Sequence, residues 1–247
     1  LPSVFRGQML HCDAGPRVVR AYPVTAIGAG YTATITNLLT SKDDWFRPSD
    51  VAVGSDGTVF VADWNDAGVG GHYMADQKLE SMTGRIYRVA PPGHRTAVKA
   101  PDLKSASGAL AALASPNVAT RHSGWRALES RLGQADTLRE LESAWKANNP
   151  QLRARVLPLL ARVPGRGANT LSEALKDKDP NIRIAALRTA REQTPDSIAA
   201  LEALVRDPSP AVRREVALAL QGNRSPQATA LWVELARQHD GKDRWYL

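Results

Sequence analysis

A repeat that recurs at Pro150, Pro180 and Pro210 constrains the fold of the chain more than any other sequence feature. Each of these prolines is followed two positions later by an apolar residue and then by an arginine. Proline is tolerated in the first turn of a helix, because the N–H group that it lacks has no intrahelical partner there. A shorter helix is predicted before each proline, so the unit is a helix pair. Helix pairs bury their apolar faces against neighbouring pairs, which predicts an α-solenoid of about four repeats over residues 106–247.

The shorter helices are predicted at residues 168–175, 196–205 and 227–238, where alanine and leucine are frequent. Asp179 and Asp207 directly precede prolines. An aspartate in front of a helix accepts a hydrogen bond from an unpaired N–H group of the first turn, so we expect both to be N-caps. The unit length is similar to that of short HEAT-like repeats.

Arg153, Arg183 and Arg213 recur at the same place in the repeat. One interpretation is a basic strip that binds an anion. The other is a structural ladder, in which each arginine meets an acidic side chain or a helix C-terminus of the neighbouring repeat. We favour the ladder.

The first half of the chain has the composition of strands and turns. Eleven of the 18 glycines lie before residue 94, and valine, threonine and tyrosine are frequent there. Alternation of apolar and polar residues predicts strands at 17–24 and 31–39. Two further apolar runs flank Ser55-Asp56-Gly57, in which Asp-Gly supplies the positive φ of a hairpin turn. A third run at 85–89 completes three antiparallel strands in chain order, which is typical of a propeller blade.

We therefore predict a multidomain chain, β then α: the C-terminal blades of a β-propeller, followed by an α-solenoid of HEAT-like repeats. Residues 1–90 would hold roughly one and a half to two blades, whereas a propeller needs about four to eight for closure. Residues 91–105 are a predicted linker, since two prolines and a glycine end a strand and cannot start a helix interior. The last helix pair lacks its second helix, so both termini are expected to be cut ends of a longer protein.

Three stretches carry a resemblance to known families. They are FRPSDVAVGSDGTVFVADWNDAGVGGH at 46–72, GRIYRVAPPG at 84–93 and SPNVATR at 115–121. The strand and turn pattern resembles NHL-type blades and the closing region of quinoprotein-type sugar dehydrogenase propellers. The junction with the repeats resembles a planctomycete-type family of large exported bacterial proteins known as sorbosone-dehydrogenase-like or membrane-bound dehydrogenase-like.

This resemblance implies a propeller, then HEAT-like repeats, then often a c-type haem domain. The longer protein would be periplasmic or otherwise exported, and would oxidise a sugar or alcohol with pyrroloquinoline quinone and Ca²⁺ before passing electrons to the haem. The implied partners of the chain are the missing propeller blades and the downstream domain of the same protein. The chain itself is expected to be inactive, with its repeats as a structural or docking module. The alternative is a non-catalytic scaffold that binds a protein or a polysaccharide.

Arg47 is the candidate cofactor-binding residue. In quinoprotein sugar dehydrogenases an arginine near this part of a blade meets the quinone carboxylates, and a guanidinium offers a carboxylate two parallel donors. The alternative for Arg47 is an ion pair with Asp43, Asp44 or Asp50.

The loop after the strand that ends at residue 63 is the candidate metal site. Asp63, Asn65 and Asp66 supply oxygen ligands that suit Ca²⁺, although the loop lacks the acidic twelfth residue of an EF-hand. The alternative for Asp63 is to cap a turn. His72 lies farther along this glycine-rich loop and is a possible loop site, with a hydrogen-bonded structural role as its alternative.

Composition excludes several other classes. The single cysteine, Cys12, rules out an internal disulfide framework, a cysteine-rich metal centre and a c-type haem attachment within the chain. No run of about 18 apolar residues is present, so no membrane span is predicted. The net charge of +7 comes mostly from residues 101–247, but no basic run there is interleaved with aromatic residues. We therefore do not expect nucleic acid as a partner, and expect the tryptophans of this half to pack within or between repeats.

Overall fold

The computed structural model describes residues 6–66, 83–95, 98–194 and 198–246. Within these ranges a β-rich N-terminal region is followed by a helical region, as the sequence predicts. The strands are β1 (Met9–Asp13), β2 (Val18–Tyr22), β3 (Val24–Ile27), β4 (Gly30–Ala33), β5 (Thr36–Thr40), β6 (Pro48–Val53), β7 (Val59–Asp63) and β8 (Arg85–Val89). The helices are α1 (Ala106–Ala114), α2 (Val118–Glu129), α3 (Ala135–Lys146), α4 (Pro150–Leu160), α5 (Gly167–Ala174), α6 (Pro180–Gln193), α7 (Ala199–Leu204), α8 (Pro210–Leu220) and α9 (Ala228–Arg237).

The chain divides into two compact units. The sheet unit comprises residues 1–25, 32–100 and 116–119, and the helical unit comprises residues 26–31, 101–115 and 120–247. The tip of the hairpin between β3 and β4 therefore belongs to the helical unit, although it lies between strands in the sequence. Each unit is described by itself below.

The sheet unit contains two three-stranded antiparallel sheets. One has the strand order β1-β2-β5 and the other the order β6-β7-β8. The turn between β6 and β7 is the predicted Asp-Gly hairpin: Gly57 has φ +78°, and Asp56 accepts hydrogen bonds from the N–H and the hydroxyl of Thr58 at 3.0 and 2.6 Å. The sequential order of the second sheet also matches the prediction. Because no closed barrel of strands is formed within the described ranges, the propeller stays a prediction.

Alternation along β7 builds the core of the sheet unit. Val59 and Val61 are fully buried, whereas Phe60 between them is 38% exposed. Successive side chains of a strand point to opposite faces, so the two valines share one face and pack with Val19 and Phe46.

The helical unit is a stack of helix pairs. The proline-initiated helices α4, α6 and α8 pack on one another in sequence, and α5 and α7 each pack on the helix that follows them. The predicted shorter helices are confirmed as α5, α7 and α9. Apolar side chains between successive layers form the core, among them Leu157, Ile182 and Val212, which are fully buried. Among the described helices, none combines the length and apolar character that a membrane crossing requires.

The two predicted N-caps have different outcomes. Asp179 is the N-cap of α6, and its side chain accepts the N–H of Asn181 at 2.8 Å. The prediction for Asp207 is wrong, because α8 begins at Pro210 with Ser209 as its N-cap. Asp207 lies two residues before this N-cap and accepts the N–H of Ser209 at 2.8 Å. Its carboxylate can therefore also bind an arginine of another repeat.

The hairpin tip at 26–31 packs against the C-terminal segment within the helical unit. Ala29 donates its N–H to Oδ2 of Asp243 at 2.6 Å. Gly28 has φ +53°, and a Cβ atom there would collide with the Asp243 carboxylate, as a Cβ at Gly30 would collide with the Trp245 ring. Both glycines are thus required by the closeness of the two segments.

A substitution at Gly124 tests the packing of the first helices. A Cβ atom at this buried position of α2 would lie 2.5 Å from the backbone nitrogen of Leu113 in α1, and backbone cannot rotate away as a side chain can. We expect Gly124→Ala to destabilise the chain by about 1–3 kcal/mol through overpacking. Urea unfolding followed by circular dichroism measures this. Gly133→Ala is the matched control, because a Cβ there meets open space, and an equal loss in both variants would contradict the close α1–α2 contact.

Candidate functional site

Asp63 lies at the end of β7 and holds a turn together. Its Oδ1 atom accepts the backbone N–H groups of Arg47 and Asn65 at 2.8 and 2.9 Å, and its Oδ2 atom accepts Nε–H of Arg85 at 2.7 Å. The carboxylate is fully buried, so these three donors offset the loss of its hydration. Asn65 completes the turn with φ +54°, a conformation that asparagine tolerates better than most residues.

This arrangement favours turn capping over metal binding for Asp63. A calcium ion would have to displace the Arg85 guanidinium from the carboxylate, so Asp63 as it lies does not fit a calcium ligand. Asn65 donates its side-chain N–H to Thr83 at 3.1 Å, and Asp66 donates its backbone N–H to the carbonyl of Trp45. No group of three or more histidine, cysteine or acidic side chains that could hold a metal ion occurs in the described ranges. Metal binding by Asn65 and Asp66 stays a prediction.

The Arg47 side chain is half-buried beside the same turn. Its Nη1 atom donates to the carbonyl of Phe46 at 2.9 Å, which takes up one of the guanidinium donors that a quinone carboxylate would use. Two of its predicted acidic partners have ion pairs elsewhere: Asp43 pairs with Arg85 at 2.8 Å, and Asp44 pairs with Arg17. Contact of Arg47 with a quinone stays a prediction. His72 lies outside the described residues.

Two of the three repeat arginines, Arg153 and Arg183, form the ladder that the sequence analysis favours. Arg183 donates from Nε and Nη2 to the two carboxylate oxygens of Asp207, both at 2.7 Å, and from Nη1 to the carbonyl of Asp177 at 2.7 Å. The paired side chains of Arg183 and Asp207 are only 11% and 4% exposed. Arg153 donates from Nη2 to Oδ2 of Asp177, and its Nε donates to the carbonyl of Trp145 at 3.0 Å. These two guanidinium groups are therefore structural and are not a free basic strip.

Sequence reasoning missed the acidic half of the ladder. Asp177 and Asp207 occupy the same place in successive repeats, and each follows its arginine by 24 residues. Each also accepts the N–H of the residue two positions later, from Asp179 at 2.9 Å and from Ser209 at 2.8 Å. The signal that could have identified the pairs is this constant spacing between an arginine and a later aspartate.

A further ion pair, between an exposed arginine and a buried glutamate, joins α6 to α8. Arg188 donates from Nε and Nη2 to the two oxygens of Glu215 at 2.9 and 2.7 Å, and Glu215 is only 3% exposed. Hydrogen bonding to Glu215, opposed by desolvation, raises the pKa of Arg188. Bidentate pairs of this kind fix the relative orientation of two helices more firmly than a single contact.

The remaining candidate side chains have structural surroundings. Burial, together with the charge of Asp50, raises the pKa of the Cys12 thiol, so it is a poor nucleophile at neutral pH. Trp125 and Trp145 pack against the helical core, and the guanidinium of Arg153 lies 4.6 Å from the Trp145 ring centre. Trp232 and Trp245 are instead 41% and 44% exposed, so the expectation that the tryptophans pack in the repeats holds only for the first two.

Comparison with known families gives two matches. The model of a family described as a domain of unknown function, DUF7133, matches residues 1–93. The model of HEAT repeats matches residues 168–245, which contain α6 to α9, all of α5 except its first residue, and the repeat arginines Arg183 and Arg213. No curated protein and no solved structure matches the chain significantly. The HEAT-like character of the helical region is thereby supported.

Removing the ion pair between Arg183 and Asp207 tests how much the ladder contributes to the free energy of unfolding. In Arg183→Gln the buried Asp207 carboxylate loses both of its guanidinium donors, so we expect a loss of about 2–3 kcal/mol in the free energy of unfolding. The matched control is Arg206→Gln, since the ion pair of Arg206 with Glu234 is exposed and its loss costs less than about 1 kcal/mol. Equal urea midpoints for the two variants would refute the special role of the ladder.

The ion pair between Arg153 and Asp177 predicts that the fold loses stability in acid. Burial opposes ionisation of Asp177, but hydrogen bonds from Arg153 and from the N–H of Asp179 outweigh it and lower its pKa. A carboxyl group whose pKa is lower in the folded state stabilises the fold above its unfolded pKa of about 3.9, and this contribution is lost as the pH falls through the folded value. We expect the urea concentration at the unfolding midpoint to decrease as the pH is lowered below about 4. The decrease should be smaller in Asp177→Asn. An unchanged acid dependence in that variant would contradict the assignment.

Proposed function

We propose that the chain is a structural and docking module of an exported, haem-associated redox protein that oxidises a sugar or an alcohol. The observation that carries the docking role is the ladder itself. Arg183 binds its own repeat through the Asp177 carbonyl and the next repeat through the Asp207 carboxylate, so neighbouring helix pairs are held as one frame. Charged side chains that are used in this way hold neighbouring repeats in a fixed arrangement.

A helical frame of this kind suits the binding of another protein domain. Each repeat contacts its neighbours, and the small rotation from one repeat to the next creates extended surfaces for partners. The match to HEAT repeats supports this role, because HEAT repeats often mediate protein interactions. The proposed partner is the downstream haem domain of the same protein.

The sheet unit is proposed to contain the last blades of a propeller. The antiparallel order β6-β7-β8 supports this assignment, as does the resemblance of residues 46–93 to quinoprotein-type blades. The remaining blades would supply the quinone and calcium sites, since Asp63 is already bonded to Arg85 and to two backbone N–H groups. When bound, the quinone would accept the electrons of the substrate and the haem would carry them onward. The periplasm or the exterior of the cell is the proposed location.

The alternative function is a non-catalytic scaffold that binds a protein or a polysaccharide. The structure around Asp63 favours the scaffold. Asp63 is the most buried of the three predicted metal ligands, and its carboxylate holds a turn together. Both proposals share the docking role of the helical unit and differ in whether the longer protein is an enzyme.

Haem reduction in the full gene product tests the redox proposal. The product is expressed with whatever sequence flanks the chain, mixed with a panel of sugars and alcohols in the presence of pyrroloquinoline quinone and Ca²⁺, and followed by visible absorption. We expect substrate-dependent reduction of the haem. We also expect Arg183→Gln to slow this reduction, because it loosens the frame, while Arg206→Gln leaves it unchanged.

The outcomes separate the two functions. A product without haem, or with haem that no substrate reduces, would refute the redox proposal and favour the scaffold. Reduction that is as fast in Arg183→Gln as in the parent protein would refute the docking role of the ladder. A dye-linked assay of the chain alone completes the test: we expect no turnover, and turnover that disappears in Arg47→Ala would instead identify an active site within the chain.

A further inference from the structure

The third of the repeat arginines is held like the second but lacks a carboxylate partner. Arg213 donates from Nη1 to the carbonyls of Asp207 and Pro208 at 2.7 and 3.3 Å, and Arg183 donates to its own two turn carbonyls at the same two distances. The Nη2 atom of Arg213 corresponds to the donor that Arg183 and Arg153 each direct at an aspartate oxygen. Within the described part of the chain, no acidic side chain forms an ion pair with Arg213.

An aromatic residue partly replaces the missing acid. Tyr246 accepts Nε–H of Arg213 at 2.8 Å, and its ring centre lies 4.9 Å from the guanidinium carbon. Tyr246 is 3% exposed, and it donates its own hydroxyl to the carbonyl of Leu235 at 3.3 Å. A tyrosine hydroxyl satisfies one donor of the fork, whereas a carboxylate would satisfy two.

Asp240 has the same turn contact as Asp177 and Asp207, but it follows Arg213 by 27 residues and not by 24. It accepts the N–H of Lys242, two positions later, at 2.9 Å, as the other two accept theirs. Asp240 falls later in its repeat than the other two acids do, because a short insertion lengthens the interval that follows Asp207. It forms no ion pair with Arg213 among the described contacts, although both side chains line the same cavity.

This cavity has a volume of about 490 Å³ and lies entirely within the helical unit. Its cationic lining residues are Arg213, Lys242 and Arg244. Its acidic lining residues are Asp240 and Asp243, and each already accepts backbone N–H groups. The half-exposed Trp245 ring supplies an apolar wall. The cavity thus combines a guanidinium edge without a carboxylate, two further cations and an aromatic surface.

We propose that this cavity binds an aspartate side chain of a partner segment, with one carboxylate oxygen accepting Nη2–H of Arg213. The chain already uses this contact once, since Arg153 donates from Nη2 to Asp177 while its Nε donates to another group, the carbonyl of Trp145. This inference rests on the proposed docking role and names the chemistry of the partner, which is an acidic peptide with an Asp-Pro type turn.

A peptide with the sequence around Asp207 tests the proposal. The probe is a fluorescent peptide with the sequence of residues 204–210, Leu-Val-Arg-Asp-Pro-Ser-Pro, blocked at both ends so that its only carboxylate is the aspartate. Fluorescence anisotropy measures its binding to the chain at low salt. We expect saturable binding that is about tenfold weaker for the same peptide with asparagine in place of aspartate.

Variants of the chain locate the binding. Arg213→Gln and Lys242→Gln are expected to weaken binding of the aspartate peptide by about tenfold and by a smaller factor, respectively. Arg213→Lys serves if Arg213→Gln does not fold, because it retains the charge but not the guanidinium, whose separate N–H groups bond Tyr246 and the proposed carboxylate. Arg237→Gln is the matched control: this arginine is exposed at the end of α9 and does not line the cavity, so binding should be unchanged.

Equal affinities for the aspartate and asparagine peptides, or undiminished binding by both Arg213 variants, would overturn the proposal. If Arg183→Gln slows haem reduction but the chain binds no peptide, this inference alone is overturned. The docking role then remains intact. Peptide binding as proposed, combined with haem reduction that is indifferent to Arg183→Gln, would instead refute the docking role of the ladder and leave the affinity of the cavity for aspartate intact.

Discussion

The bidentate contact between Arg183 and Asp207 is the interaction on which the helical stack most depends. One guanidinium bonds a carbonyl of its own repeat and both carboxylate oxygens of the next, so a single side chain spans two repeats. Removal of either partner would leave a buried charge without its counterpart, which costs far more than loss of an exposed pair. The apolar layers between α4, α6 and α8 provide the bulk of the burial, and the ladder fixes how these layers are oriented.

The regular features of the fold could be predicted from the sequence because they are local. Evenly spaced prolines marked the starts of α4, α6 and α8, and Asp-Gly marked the hairpin between β6 and β7. Asp179 and Asp207 carry the same local signal, an aspartate before a proline, yet only Asp179 is an N-cap. The difference is tertiary, since Asp207 is held by an arginine 24 residues earlier in the sequence.

The candidate sites depended on such distant contacts even more strongly. Asp63 could be assigned neither to a metal nor to a turn from its own loop, because the residue that decides, Arg85, lies 22 positions away. The pairing of β7 with β8 sets these two residues opposite each other, and the long connection between the strands hides that register in the sequence. The cavity beside Arg213 was missed for a related reason, since the insertion before Asp240 shifts this acid away from the ladder.

The hydrogen bond from Ala29 to Asp243 joins segments that are 214 residues apart. The amide proton of Ala29 exchanges with solvent only when this bond opens, so its exchange rate reports on the last helical repeat and not on the strands beside it in the sequence. Residues 26–31 thus belong to the helical unit. A perturbation of the turn after α9 would therefore be felt at these residues, although they lie near the opposite end of the polypeptide.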